Sequence, residues 1–82
     1  MAWEQAKWSC GHTGTKQLRG RYAARRARLA YEASRVCMAC WLLRTWRATG
    51  DPRALREDRW ELACAIAENN GNRIDGQPPA DL

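Results

Sequence analysis

Polar and apolar residues alternate near the start of the chain, on both sides of a glycine-containing segment. Before this segment Ala6, Trp8 and Cys10 alternate with polar residues, and a second alternating run follows it. Alternation with a period of two is typical of β-strands, because successive side chains point to opposite faces of a sheet. Glycines between two such runs favour a tight turn. The pattern therefore predicts a β-hairpin over residues 3–19, with residues 10–14 at its tip.

The next segment, residues 21–35, is dominated by alanine and arginine and contains neither glycine nor proline. Both residue types favour helix. At helical spacing the small and aromatic residues share one side, which comprises Ala23, Ala27, Ala30, Tyr31 and Ser34. The charged residues fall on another side, which comprises Arg21, Arg25, Arg28, Glu32 and Arg35. This segment is therefore predicted to be a helix that carries an arginine stripe.

Two further helices are predicted from their boundary signals. The second helix covers residues 38–49 and ends before Gly50, which suits a left-handed cap. The dipeptide Asp51-Pro52 then favours the start of a third helix, because aspartate caps a helix and proline is tolerated in its first turn. The third helix is predicted to cover residues 52–69.

The composition changes at residue 72 to asparagine, glycine, glutamine and proline, which is typical of an unstructured segment. We therefore expect one domain over residues 1–71 and a flexible tail over residues 72–82. The predicted fold class is a small α+β domain in which an N-terminal β-hairpin is followed by three α-helices.

Length and charge add two expectations. A chain of 82 residues buries only about 60% of its unfolded surface, so its core needs a further source of stability. The net charge is +5, but residues 1–47 carry ten basic and two acidic side chains and residues 48–82 carry four basic and seven acidic ones. The halves are thus +8 and −3, which favours an acidic partner for the first half.

Neither a membrane segment nor a secretion signal is expected. No apolar run approaches the roughly 18 residues that a membrane span needs. The N-terminus lacks the basic and then apolar layout of a signal peptide. A cytoplasmic protein is therefore expected, and its thiols would lie in a reducing compartment.

The cysteines and the single histidine form two closely spaced pairs, Cys10-x-His12 and Cys37-x2-Cys40. In a reducing compartment such pairs favour metal binding over disulfides. Tetrahedral Zn²⁺ takes four thiolate or imidazole ligands, and a helix N-terminus at the second pair favours thiolates. The sequence therefore predicts a structural zinc ion bound by Cys10, His12, Cys37 and Cys40.

Three alternatives stay open for the cysteines. Cys64 is able to replace His12 as the fourth ligand, although a lone cysteine within a helix is more often a small core residue. Cys37 and Cys40 could form a redox dithiol, but the strand that precedes such a motif is not predicted here. All four thiols could also be free core residues. A catalytic zinc is disfavoured because four protein ligands leave no position for water, so no enzyme is expected.

The residues around these pairs resemble a known pattern. The run from Trp8 to Gly14, followed by a basic helix and Cys37-x2-Cys40, resembles short zinc-binding proteins encoded by bacterial plasmids, integrative elements and phages. The resemblance covers about residues 3–41. It implies a zinc-ribbon or treble-clef-like fold and a mobile-element context, and it implies no particular activity.

A basic run beside the metal ligands suggests a partner. Arginine binds phosphates through its forked donors, and exposed aromatic residues stack on bases. The predicted contact residues are Lys16, Arg19, Arg21, Arg25, Arg26, Arg28, Trp3 and Trp8, whereas Trp41, Trp46 and Trp60 are predicted to pack in the core.

The leading hypothesis for this surface is a binding module for nucleic acid. The alternative is a phage or mobile-element protein that binds and inhibits a host nucleic-acid-binding protein, such as a CRISPR effector. A solvated helix face is the plainest interpretation of the same charges. No small-molecule substrate is expected, and the oligomeric state stays open.

Overall fold

A computed structural model of the chain describes residues 2–80, which form three strands, three α-helices and a short 3-10 turn. In chain order these elements are β1 (Ala2–Lys7), β2 (Thr13–Leu18), α1 (Tyr22–Ala33), α2 (Met38–Thr49), the 3-10 turn (Pro52–Leu55), α3 (Arg59–Asn69) and β3 (Asn72–Asp75). The predicted α+β class, with a β-hairpin followed by three helices, is confirmed. In the described residues no helix has the length and apolar character that crossing a membrane requires.

The sheet is antiparallel, with β2 between β1 and β3. Successive side chains point to opposite faces, and the even-numbered ones of β1 and β2 lie on the covered face. Ala6, Trp8 and Leu18 are buried there. The other face is open, and Arg73 of β3 lies over the ring of Trp3 at 4.0 Å from its centroid.

The strand β3 corrects the prediction of a flexible tail over residues 72–82, because residues 72–75 pair with β2. The pairing depends on Gly14, which the sequence pattern assigns to the tip of the hairpin. A Cβ atom on Gly14 would lie 1.9 Å from the carbonyl oxygen of Arg73, so only glycine lets the two strands approach this closely. Residues 81–82 of the predicted tail, and Met1 of the predicted domain, lie outside the described residues.

The helices α2 and α3 supply most of the core. Leu43 and Trp46 of α2 are buried, and Trp60 and Ala63 of α3 are buried against them. The predicted core role of Trp46 and Trp60 is therefore confirmed. The same prediction for Trp41 is wrong, because this residue is 46% exposed.

The predicted third helix over residues 52–69 is divided. Asp51 caps the 3-10 turn by accepting a hydrogen bond from the backbone N–H of Arg53 at 2.9 Å, which confirms a start signal at Asp51-Pro52. The chain then leaves the helical conformation, and Arg56 pairs with Asp58 at 2.7 Å. The α-helix begins only at Arg59, so the charged residues before it form a connection.

The helix α1 packs on the sheet through charged side chains. Its inward side consists of Arg25, Leu29 and Glu32, of which only Glu32 is fully buried. Arg25 pairs with Glu4 at 2.9 Å and Glu32 pairs with Lys16 at 2.7 Å. The alanines that were predicted to share one side of α1 are exposed. The hydropathy pattern predicts the position of this helix correctly but not which of its sides is buried. The buried side carries ion pairs with the sheet rather than apolar residues alone.

Candidate metal centre

The turn between β1 and β2 positions the first ligand pair. The backbone N–H of Trp8 donates to the carbonyl of His12 at 3.0 Å, and the N–H of Gly11 donates to the carbonyl of Trp8 at 3.0 Å. Gly11 has φ 91°, a left-handed conformation that glycine adopts without steric cost. This tight turn brings the side chains of Cys10 and His12 to the same point.

The start of α2 positions the second pair. Cys37 is the N-cap of α2, and Cys40 lies one turn further along the helix. The two pairs are joined just before this point, because the N–H of Ser9 donates to the carbonyl of Arg35 at 2.8 Å. Residues 25 or more positions apart in the chain therefore meet at one site.

The four ligand atoms form a compact cluster. The Sγ atoms of Cys10, Cys37 and Cys40 and a ring nitrogen of His12 all lie within 4.8 Å of one another. From Nδ1 of His12 the three sulfurs are at 3.2, 3.6 and 3.4 Å, respectively. A tetrahedral zinc ion, with bonds near 2.3 Å to sulfur and 2.0 Å to nitrogen, separates such atoms by about 3.5 Å. The cluster is therefore positioned to bind a metal ion.

Hydrogen bonds outside the cluster orient its donors. The Nε2 atom of His12 lies 2.7 Å from the carbonyl oxygen of Gln77, so this nitrogen carries the proton. In the neutral ring, Nδ1 then has a lone pair that faces the three sulfurs. Backbone N–H groups also point at sulfur, from Cys37 to Cys10 at 3.3 Å and from Cys40 to Cys37 at 3.4 Å. Such donors stabilise thiolates, the form that binds metal.

The thiols differ in how readily they ionise. Burial raises the pKa of Cys10, but hydrogen bonds from the Cys37 backbone and from His12 outweigh burial and lower this pKa to about 6. Burial raises the pKa of Cys37 and of Cys40. Burial lowers the pKa of His12, but the Gln77 carbonyl and Cys10 outweigh it and raise this pKa. Cys10 is thus the thiol that ionises most readily, and a metal ion must displace protons from Cys37 and Cys40 and compete with a proton for His12.

Cys64 does not join the cluster. It lies on α3 and packs, partly buried, against the core, and burial raises its pKa to about 11. The described residues place His12, rather than Cys64, with the other three ligands. All four predicted ligands are therefore brought together, and the alternative with Cys64 as fourth ligand is not the arrangement observed.

The basic residues that were predicted to contact a partner separate into two groups. Lys16 and Arg25 are turned toward the protein, where they pair with Glu32 and Glu4. Arg19, Arg21, Arg26 and Arg28 are exposed on and beside α1. Arg35, just after α1, is also exposed. We call the five exposed residues the arginine surface, which comprises Arg19, Arg21, Arg26, Arg28 and Arg35.

The aromatic residues differ from the prediction in a similar way. Trp8 is 5% exposed, because its even-numbered position turns it to the covered face, so its predicted role in stacking on a partner is wrong. Trp3 is on the open face. Two exposed aromatic residues, Tyr31 and Trp41, were not among the predicted contact residues. Only the hydrophobic spacing of α2, which buries Leu42 and Leu43, could have indicated the outward position of Trp41.

Comparisons of the chain with protein-family models, with curated proteins and with solved structures find no match. The assignment of the site therefore depends on its donor atoms, their separations and the charges around them.

Proposed function

We propose that this protein is a small, non-catalytic module in which a zinc ion stabilises the fold and the arginine surface binds nucleic acid. Zinc is favoured by the donor set of three thiols and one imidazole, since thiolates select soft or borderline metals. Four protein ligands complete a tetrahedron and leave no open position for a reacting water. The role of the ion is therefore structural.

The position of the cluster supports this role. Its ligands come from the hairpin tip and from the start of α2, and His12 is held by the carbonyl of Gln77 in the C-terminal segment. One ion at this point links three separate parts of the chain. Such a link supplies the stability that an 82-residue core lacks.

The observation that carries the nucleic-acid proposal is the unbalanced charge of the first half of the molecule. Both acidic side chains of residues 1–47 are already paired, Glu4 with Arg25 and Glu32 with Lys16. The arginine surface therefore keeps most of its positive charge. Guanidinium groups bind phosphate oxygens in a forked geometry, and a phosphate backbone presents many such groups in a row.

Fluorescence anisotropy with a labelled oligonucleotide tests the proposal. If about four phosphates are neutralised, the affinity is expected to fall about 50-fold for a single strand and about 150-fold for a duplex between 50 and 200 mM salt. The triple variant Arg19→Glu, Arg21→Glu and Arg26→Glu is expected to abolish binding. The matched control Arg53→Glu, Arg56→Glu and Arg59→Glu changes the net charge equally in the other half and is expected to weaken binding far less.

The zinc content of both variants is measured first, so that a loss of folding is recognised. Absence of binding at low salt, or an affinity that does not respond to salt, would contradict the proposal. Equal weakening by the two triple variants would show that net charge alone, rather than the arginine surface, attracts the oligonucleotide.

A further inference from the structure

A pocket of about 200 Å³ lies between α1, the start of α2 and the covered face of the sheet. Its lining includes Arg28 and Glu32 of α1, Met38 and Trp41 of α2, and Lys16 of β2. Drug-sized ligands occupy cavities of roughly 300–1,000 Å³, so this pocket has room for one flat ring system rather than for a large molecule.

The exposed indole of Trp41 gives this pocket a stacking surface. Trp41 lines the pocket and is 46% exposed, although indole is among the largest apolar side chains. The buried ring of Trp8 and the thioether of Met38 also line it. A flat aromatic ligand could therefore stack on Trp41 and contact apolar atoms further in.

Two arginines at the pocket are held in place before any ligand binds. The guanidinium carbons of Arg28 and Arg35 each lie 5.3 Å from the ring centroid of Tyr31. Arg35 also donates to the hydroxyl of Tyr31 at 2.8 Å. Both arginines line the pocket, and ordering them in advance lowers the entropy cost of binding an anion.

Three polar residues of the pocket lining, Lys16, Glu32 and Asn72, hold one another in a fixed geometry. The ammonium group of Lys16 lies 2.7 Å from Oε1 of Glu32 and donates to Oδ1 of Asn72 at 2.8 Å. These contacts use two of its three protons within the described residues. The Lys16–Glu32 pair is neutral as a unit, so Arg28 and Arg35 give the pocket a net positive charge.

We propose that this pocket receives one unpaired base of a single-stranded nucleic acid, stacked on Trp41, while Arg28 and Arg35 contact the adjacent phosphates. The inference rests on the proposed function and specifies its ligand. A base within a duplex is stacked and paired on all sides, and only an unpaired base enters a pocket of this size. Stacking on an aromatic side chain tolerates any base, so a preference for single strands rather than for a sequence is expected.

The test compares a labelled single-stranded oligonucleotide with the duplex of the same sequence. Trp41→Ala is expected to weaken single-strand binding about tenfold and to leave duplex binding within about twofold. The matched comparison is Trp3→Ala, which removes an exposed indole outside the pocket and is expected to weaken single-strand binding less than Trp41→Ala does. Trp41→Tyr, which keeps a stacking ring, is expected to restore most of the single-strand affinity.

A second variant covers the case in which Trp41→Ala fails to fold, as judged by its zinc content and melting temperature. Arg28→Gln with Arg35→Gln keeps the indole and is expected to lower single-strand affinity more than the control Arg19→Gln with Arg21→Gln. If the protein prefers the duplex, or if Trp41→Ala and Trp3→Ala weaken single-strand binding equally, the pocket proposal is wrong. Binding of nucleic acid by the arginine surface then still stands. If neither oligonucleotide binds, the proposed function itself is wrong.

Discussion

Replacing Glu32 by glutamine is expected to destabilise the protein strongly, because α1 is held to the sheet by few apolar contacts. The side chains of Lys16 and Glu32 are only 12% and 10% exposed, and their charged atoms lie 2.7 Å apart. Glutamine keeps the size of the side chain but leaves the ammonium of Lys16 without a counter-charge, in contact with Asn72 alone among its observed partners.

The magnitude follows from the asymmetry of buried pairs. Removing one partner of a buried pair costs about 3–5 kcal/mol, whereas replacing both by apolar residues is often nearly neutral. We therefore expect Glu32→Gln to lose about 3 kcal/mol, a large part of the stability of a small domain. Lys16→Met is expected to cost less, about 1–2 kcal/mol, because Arg28 already pairs with Glu32 at 3.7 Å and remains as its counter-charge. The double variant Lys16→Met with Glu32→Leu is expected to lose less free energy of unfolding than Glu32→Gln does alone.

Urea unfolding of zinc-saturated protein, followed by circular dichroism, measures these differences. Asp58→Asn is the control, because it removes a partner of the exposed pair with Arg56, and no measurable change is expected. A midpoint shift by Glu32→Gln no larger than that by Asp58→Asn would contradict a stabilising buried pair. A loss in the double variant as large as the two single losses together would contradict it as well.

Three further outcomes are expected. Gly14→Ala should lower the melting temperature and remove the hydrogen-exchange protection of β3, since its Cβ would meet the Arg73 carbonyl at 1.9 Å; unchanged protection would contradict the close approach. Because burial raises the pKa of Cys37 and Cys40, and the Gln77 carbonyl and Cys10 raise the pKa of His12, metal must displace at least two protons near neutral pH, and the affinity in chelator competition should fall at least about 100-fold per unit decrease of pH; a flat profile would argue against thiolate ligands. Cys64→Ala should retain one metal ion per chain by elemental analysis, whereas Cys40→Ala should lose it.

The order of the elements and the metal ligands could be predicted because their signals are local. Alternation marks the hairpin, Cys37 and Gly50 bound α2, and the two ligand pairs each need only a single turn to bring their side chains together. Such patterns depend on neighbouring residues. The predicted bounds of α2, residues 38–49, agree with the structure for this reason.

The features that could not be predicted depend on residues far apart in the chain. The strand β3 has four residues and a polar first position, Asn72, and its pairing with Gly14 is visible only when both strands are in place. The orientation of α1 was predicted wrongly because Glu32, a charged residue, is its most buried one. Its partner Lys16 lies on a strand, so no helical periodicity reveals the pair. Trp41 is a different case, because the spacing of its neighbours Leu42 and Leu43 in α2 is a local signal for its exposure.

We infer that one zinc ion bound by Cys10, His12, Cys37 and Cys40 completes the fold. A zinc titration of the metal-free protein, followed by near-ultraviolet circular dichroism, tests this inference. Trp60 reports on the site because its ring packs 4.9 Å from the ring of His12. A fixed aromatic signal should develop with a sharp end point at one zinc per chain. An aromatic signal that is already complete without zinc, and unchanged on its addition, would contradict the account.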